Sequence, residues 1–182
     1  MITRTELENA RKRARLLLKK TGISLSPKEL ELIEVADFGL GKLEETGAEI
    51  LGLVNTEKVA VKLIVLFPNQ TLPEHKHPGI ENYPGKEEAI RCEWGALYVY
   101  GPGEPTLNPK GHPPEQRIHT YTMWHEYILY PGEQIIFPPN TLHWFQAGPD
   151  GAVCWSFSTK AVDLLDIFSD PEIQRRTVIA DG

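Results

Sequence analysis

The segment Pro73-Glu74-His75-Lys76-His77-Pro78 is the strongest indicator of fold in this chain. Successive side chains on a β-strand point to opposite faces, so His75 and His77 would project the same way from one strand. Glu88, eleven residues after His77, and the distant His143 could complete a set of three nitrogen donors and one oxygen donor. Such a set suits Mn, Fe, Co, Ni or Zn rather than Ca or Mg. The segment therefore predicts a metal site built on β-strands.

The turns around these histidines resemble the two motifs of the cupin superfamily, Gly-x5-His-x-His-x3,4-Glu-x6-Gly and Gly-x5-Pro-x-Gly-x2-His-x3-Asn. The second motif is matched by Gly132, Pro138 and His143, with Asn140 in place of its glycine and Ala147 in place of its closing asparagine. Asn tolerates the left-handed backbone that such a turn needs. Two surface histidines on one strand would share the spacing but not these turns. The resemblance implies a jelly-roll β-barrel.

Two glutamates compete for the fourth ligand position. Glu81 follows His77 at the usual motif distance but lies in a segment rich in Pro and Gly that is typical of a loop. Glu88 begins a strand-like run and is followed, after six residues, by Gly95, as the cupin motif requires. A ligand on a strand is held better than one on a loop. We therefore expect Glu88 to be the ligand, and Glu87 to point away from it by strand alternation.

The wider pattern predicts a mainly β protein, a cupin-type jelly-roll β-barrel with flanking N-terminal α-helices. Apolar periodicity predicts a helix over 6–20, and the capping box Ser26-Pro27-Lys28-Glu29 predicts a second helix towards Val35. Short β-rich runs follow, at 48–55, 59–67, 72–77, 88–100, 121–130, 134–137, 143–147 and 153–159. We expect a single cupin domain over 1–182, divided into a helical segment packed on the barrel (1–46), the barrel (47–160) and a C-terminal segment (161–182).

Composition restricts the class of partner. The net charge of −6 disfavours nucleic acid, and the seven basic residues among the first twenty are expected on the solvated face of the first helix. The apolar run Leu16-Leu17-Leu18 is too short for a signal peptide, and no stretch is long enough to span a membrane. Cys92 and Cys154 are expected to be reduced core residues, which favours the cytoplasm. A homodimer is the expected assembly.

Several segments are more specific than the cupin motifs and resemble the D-lyxose isomerase family. They are Leu66-Phe67-Pro68-Asn69-Gln70, Pro73-Glu74-His75-Lys76-His77-Pro78, Gly85-Lys86-Glu87-Glu88, Trp94-Gly95, Tyr130-Pro131-Gly132-Glu133, Pro138-Pro139-Asn140-Thr141-Leu142-His143-Trp144-Phe145 and Asp166-Ile167-Phe168-Ser169-Asp170-Pro171. The resemblance covers about 59–171. It implies a Mn-dependent aldose–ketose isomerase that interconverts D-lyxose and D-xylulose, and often D-mannose and D-fructose. Other divalent transition metals would suit the same donors.

The resemblance also assigns roles to residues. It implies His75, His77, Glu88 and His143 as the metal ligands and Lys86, two positions before Glu88, as a catalytic residue. A metal at O1 and O2 of the open-chain sugar would stabilise an enediolate, and Lys86 could donate a proton or hydrogen bond as charge develops on the carbonyl oxygen. Without the resemblance, Lys86 would be read as an exposed lysine at a loop end.

The base that moves the proton stays unassigned at this level. Metal coordination lowers the basicity of Glu88, and longer members of the family supply a carboxylate from the C-terminal segment. Neither Glu172 nor Asp181 aligns with it securely, and a hydride shift would need no base. Three other classes stay open: an iron-dependent cupin dioxygenase, a sugar-phosphate isomerase and a non-catalytic sugar-binding cupin. The sequence has no visible cluster of Arg, Lys, Ser or Thr suited to a phosphate.

Overall fold

The computed structural model describes residues 1–180. Its elements are, in chain order, β1 (Ile2–Thr3), α1 (Arg4–Lys20), α2 (Pro27–Glu31), β2 (Glu34–Ala36), β3 (Ala48–Asn55), β4 (Ala60–Leu66), β5 (Thr71–Lys76), β6 (Glu88–Gly101), β7 (His125–Leu129), β8 (Gln134–Phe137), β9 (His143–Ser158), β10 (Ile167–Phe168) and β11 (Ile179–Ala180). Short 3-10 helices cover Glu115–Thr120 and Asp163–Leu165. The described chain is thus mainly β, as predicted.

Two long strands, β6 and β9, pair along their length and take part in both walls of the fold. At one end, these two strands belong to a sheet with the strand order β2-β3-β4-β9-β6-β8. At their other end, they belong to a sheet with the strand order β10-β5-β9-β6-β7. Register shifts near Trp94 and Gly95 let β6 bend from one sheet into the other. The curled sheet confirms the predicted cupin-type jelly roll.

The core has an inner and an outer part. Inside the curled sheet, Ile64, Ile90, Leu97 and Phe145 belong to one buried cluster. On the outside, the apolar face of α1 covers β3, β4 and β9, where the buried side chains are Leu7, Ala10, Ala14, Leu17, Leu51, Leu63, Val65 and Val153. Helix α1 begins at a capping box formed by Thr3 and Glu6. Helix α1 therefore packs on the outside of the curled sheet.

The second predicted helix is shorter than expected. It ends at Glu31, and Val35, which the sequence placed at its end, lies in β2. Val35 pairs with Glu49 of β3 and is buried beneath α1. A β-branched residue gains more from this buried sheet position than from a further helical turn. The segment 1–46 is thus not wholly helical.

Two further differences come from long-range pairing. The runs predicted at 143–147 and 153–159 form the single strand β9, because β6 pairs with both halves. The strand predicted at 121–130 begins only at His125, since Tyr121 closes the preceding 3-10 helix. Cys92 and Cys154 are buried and free, as expected, and are direct partners across β6 and β9. No helix within residues 1–180 has the length and apolarity to cross a membrane.

Candidate metal centre

Three of the predicted ligands meet inside the barrel. His75 lies in β5 and His77 directly follows this strand, and His143, at the start of β9, is the direct cross-strand partner of His75. One ring nitrogen of each histidine lies within 4.8 Å of those of the other two, and all three side chains are buried. The i, i+2 spacing on one strand and the cross-strand register together produce this cluster.

The second ring nitrogen of each histidine is anchored. His75 Nδ1 lies 2.9 Å from the carbonyl oxygen of Pro73, and His143 Nδ1 lies 2.8 Å from that of Thr141. His77 Nδ1 lies 2.7 Å from Asp166 Oδ1. Carbonyl and carboxylate oxygens only accept hydrogen bonds, so each Nδ1 must donate. In the neutral ring this leaves the lone pair on Nε2, the arrangement common in metal-ligating histidines.

The protonation of the histidines suits a cation. Burial, together with the neighbouring imidazoles, holds the pKa of His75 well below its usual value and lowers the pKa of His143 to about 3. Both rings are therefore neutral at physiological pH. His143 Nε2 is buried and has no hydrogen-bond partner among the described residues, although buried polar atoms nearly always have one. The donor set thus fits a divalent metal ion.

Glu88 lies beside the histidines at the start of β6. Its Oε2 is 3.0 Å from His77 Nε2 and 3.8 Å from His143 Nε2. Its Oε1 accepts hydrogen bonds from Lys86 Nζ, at 2.9 Å, and from the Ser156 hydroxyl. Burial by itself would raise the pKa of Glu88, but Lys86 and His77 outweigh it and hold the pKa well below the usual value. Glu88 is therefore an ionised carboxylate.

The competing glutamates lie elsewhere. Glu81 is exposed in the loop after β5, where it adopts a left-handed backbone with φ 50°. Glu87 is also exposed, as strand alternation requires. The turn before His143 has the expected geometry, since Asn140 has φ 61°. The structure thus places Glu88, and neither Glu81 nor Glu87, next to the histidine cluster.

Lys86 is buried rather than exposed at a loop end, with only 4 % of its surface accessible. Burial would lower its pKa, but the carboxylates of Glu88, Asp163 and Asp166 outweigh this effect and raise the pKa above the usual value. Lys86 is therefore an ammonium group that lines a small cavity, together with His75 and Glu88. This position allows it to donate a hydrogen bond to a bound ligand.

The cavity also contains polar residues that the sequence reading did not select: Lys62, Asp163, Asp166 and Arg175. Asp163 pairs with Lys62 and, at 3.3 Å, with Arg175. Burial would raise the pKa of Asp163, but Lys62 and Lys86 outweigh it and lower the pKa to about 2. Two signals were available in the sequence, since Lys62 interrupts an apolar strand and Asp166 begins one of the segments quoted above.

The two carboxylates considered earlier for proton transfer have different positions. Glu172 is exposed and pairs with Arg117 at 2.6 Å, outside the cavity. Asp181 lies outside the described residues. The carboxylates that line the cavity, among residues 1–180, are Glu88, Asp163 and Asp166. Two of these three carboxylates therefore come from the short segment 163–166.

The chain was compared with known proteins. A scan against models of protein families found no match. The sequence is 49 % identical over 175 residues to a D-lyxose ketol-isomerase from Thermofilum sp. (strain ex4484_79), covering 96 % of this chain and 97 % of the relative. It is 48 % identical over 181 residues, covering all of both chains, to a D-lyxose/D-mannose isomerase from Thermosediminibacter oceani. The chain belongs to the D-lyxose ketol-isomerase family. This confirms the resemblance noted in the sequence.

A solved structure supports the fold of this member of the family. L-ribose isomerase from Cellulomonas parahominis superposes with a TM-score of 0.81, covering 98 % of each chain. The sequence identity is 18 %, so this likeness concerns the fold. It extends over the N-terminal helix and the C-terminal segment as well as the barrel.

Proposed function

We propose that this protein is a metal-dependent D-lyxose ketol-isomerase that interconverts D-lyxose and D-xylulose, and also D-mannose and D-fructose. The observation that carries the proposal is the buried cluster of three histidines, each with Nδ1 anchored, beside an ionised Glu88 and a charged Lys86. The cluster occurs in a chain that shares about half its residues with proteins named as isomerases of these sugars. A small soluble sugar is accordingly the proposed substrate.

The residues that would hold the metal are His75, His77, Glu88 and His143, and the proposed ion is Mn²⁺, with other divalent transition metals as substitutes. When bound, such an ion would act as a Lewis acid towards O1 and O2 of the open-chain sugar. The neutral Nε2 atoms and the ionised carboxylate of Glu88 are the forms that bind a cation. Among the proposed ligands, only His77 would have to lose a proton before it binds the ion. The hydrogen bonds to Asp166 and Glu88 raise the pKa of His77 against the effect of burial.

Lys86 is proposed to stabilise the negative charge that develops on the carbonyl oxygen as the enediolate forms. An ammonium group in a dry cavity does this more effectively than one in water. Glu88 already accepts hydrogen bonds from Lys86 and Ser156, which makes it a weak proton acceptor. Asp163 is a weak acceptor as well, because it pairs with Lys62 and Arg175 and its pKa is lowered to about 2, so the proposal assigns the proton transfer between C2 and C1 to neither of these two carboxylates.

The decisive experiment removes the metal with a chelator, restores Mn²⁺ and measures isomerisation of D-lyxose and D-mannose in parallel. We expect activity to disappear with the metal and return with Mn²⁺. Inactivity on both sugars despite stoichiometric metal would contradict the proposed substrate class. Oxygen uptake with Fe²⁺, in the absence of sugar turnover, would instead favour a cupin dioxygenase.

A solvent-exchange experiment tests proton transfer separately. Isomerisation in deuterated water should place deuterium at C1 of the ketose, because a proton held by a cavity carboxylate exchanges with solvent. Product free of deuterium would indicate a hydride shift and would remove the need for a base.

The proposed assembly is a homodimer in the cytoplasm. Light scattering on the purified protein should give twice the chain mass of 20.5 kDa. A monomer at micromolar concentration would contradict this part of the proposal.

A further inference from the structure

The C-terminal segment 163–170 lies along the free edge of β5, the strand that contains His75 and is directly followed by His77. Within it, β10 pairs antiparallel with β5, so that Ile167 lies opposite Lys76 and Phe168 opposite His75. This pairing fixes the register between the segment and the histidines. A shift of one residue would turn the flanking side chains to the other face.

The register brings Asp166 to His77. Asp166 Oδ1 accepts the hydrogen bond from His77 Nδ1 at 2.7 Å, and the Asp166 side chain is only 11 % exposed. The Phe168 ring packs against His75, with 5.5 Å between ring centroids. His75 and His77 are therefore both in contact with this segment, whereas His143 is anchored by a carbonyl of its own turn.

The segment is fixed at two further points. The backbone N–H of Ser169 donates to the carbonyl oxygen of Glu74 at 3.0 Å, and the Ser169 hydroxyl donates to the Glu74 carboxylate. Arg117 Nη1 pairs with Asp170 at 3.0 Å. These contacts hold 169–170 in place without touching His77. They allow the docking of the segment to be altered separately from the hydrogen bond at Asp166.

We propose that Asp166 is a positioning residue for His77, and that docking of segment 163–170 and occupancy of the metal centre stabilise each other. The inference rests on the proposed metal centre. A carboxylate acceptor at Nδ1 fixes the orientation of the imidazole and increases the electron density on Nε2. Loss of such a partner reduces metal affinity by about 10–100-fold in other metal sites. Because linkage is reciprocal, bound metal must favour the docked segment by the same factor.

The first test compares metal affinity in Asp166→Asn with that in the unmodified protein, measured by competition with a coloured chelator. We expect Mn²⁺ and Co²⁺ to bind about 10–100-fold more weakly in the variant. The visible absorption of the Co²⁺ form should also change, because the orientation of His77 changes. Asp150→Asn is the matched control, since it makes the same change at an exposed aspartate outside segment 163–170. Its affinity and its spectrum should equal those of the unmodified protein.

The second test measures hydrogen exchange of the Ser169 amide, which donates to Glu74. Exchange should be slower in the Mn²⁺ form than in the metal-free form, and this difference should shrink in Asp166→Asn. Arg117→Ala loosens the same segment without contact to His77 and should weaken metal binding by a few-fold. This second variant keeps the test valid if Asp166→Asn folds poorly.

Unchanged metal affinity in Asp166→Asn, with loss of turnover, would overturn the proposal and would assign Asp166 to proton transfer instead. Equal exchange at Ser169 with and without metal would overturn the coupling. Weakened metal binding in a protein that isomerises no sugar would support this inference while removing the proposed function. The two proposals therefore fail separately.

Discussion

Glu49 is a buried carboxylate that the proposed chemistry does not use. It lies on the outer face of β3, opposite Val65, in the layer covered by α1. Neither of its carboxylate oxygens has a hydrogen-bond partner among the described residues. Burial raises the pKa of Glu49 well above its usual value, and the nearby Gln70 side chain and the charge of Arg13 offset only part of this effect. The group is therefore most stable in its protonated form.

Replacement of Glu49 by Gln should change the pH dependence of stability. Below the pKa of the unfolded chain both states hold the proton, and Glu49 carries no penalty. As pH rises above about 4.5, the unfolded state loses the proton first, so folding becomes progressively less favourable. When unfolding by denaturant is measured from pH 4 to 8, the free energy of unfolding of Glu49→Gln should rise relative to that of the unmodified protein at each step. Glu31→Gln, an exposed control, should follow the unmodified curve, and parallel curves for all three proteins would contradict the assignment.

Lys86 allows a second test at the level of a single residue. Lys86→Gln removes the ammonium beside Glu88 but keeps a hydrogen-bond donor, so it should lower kcat by about 10²–10⁴-fold. The metal content should stay near that of the unmodified protein. Lys76→Gln is the control, because Lys76 alternates with His75 and His77 and points away from the cavity. A Lys86→Gln variant with normal kcat would exclude Lys86 from the chemistry.

At the level of elements, the bend shared by β6 and β9 determines whether the two sheets can enclose a site. Gly95 has φ +80°, and a Cβ at this position would lie 2.1 Å from the carbonyl oxygen of Gly151 on β9. Any side chain would therefore push the two strands apart where they pass between the sheets. The glycine that helped to identify Glu88 in the sequence thus has a physical role in the fold.

Gly95→Ala should destabilise the protein by about 2–4 kcal/mol, because strain at positive φ adds to the clash with β9. Gly52→Ala is the control: Gly52 also lies next to a register shift in a strand, but a Cβ there meets nothing within 4 Å. Its effect should stay within about 1 kcal/mol. Chemical denaturation measures both values, and equal effects would show that the approach of Gly151 does not limit the bend.

Elements with a strong local signal were predictable. Helix α1 has a capping box and a complete apolar stripe, and β3 and β8 have the predicted bounds. Short elements that depend on a distant partner were not predictable. Strand β2 exists because it pairs with β3, and β10 exists because β5 offers a free edge. Two or three residues have too little local preference to specify a strand alone.

For the whole molecule, the proposed metal centre would connect β5, β6 and β9, so metal should stabilise the folded chain. A ligand that binds only the folded state at 100 times its Kd contributes about 2.7 kcal/mol. Thermal unfolding with and without Mn²⁺ should therefore show a higher midpoint with the ion. His143→Gln removes one of the proposed ligands and should lose most of this shift. An equal shift in this variant would place the stabilising ion elsewhere.

The sequence by itself determined the family, the mainly β jelly roll and the identity of the residues expected at the metal centre. These properties are encoded locally, because strand alternation orients His75 and His77 and turn residues such as Asn140 fix the approach of His143. The tertiary structure decided how the site is completed. It buried Lys86, placed Asp163 in an ion pair with Lys62, and brought Asp166 to His77 across 89 residues of chain. Such contacts depend on register and packing between distant segments, which no local pattern specifies.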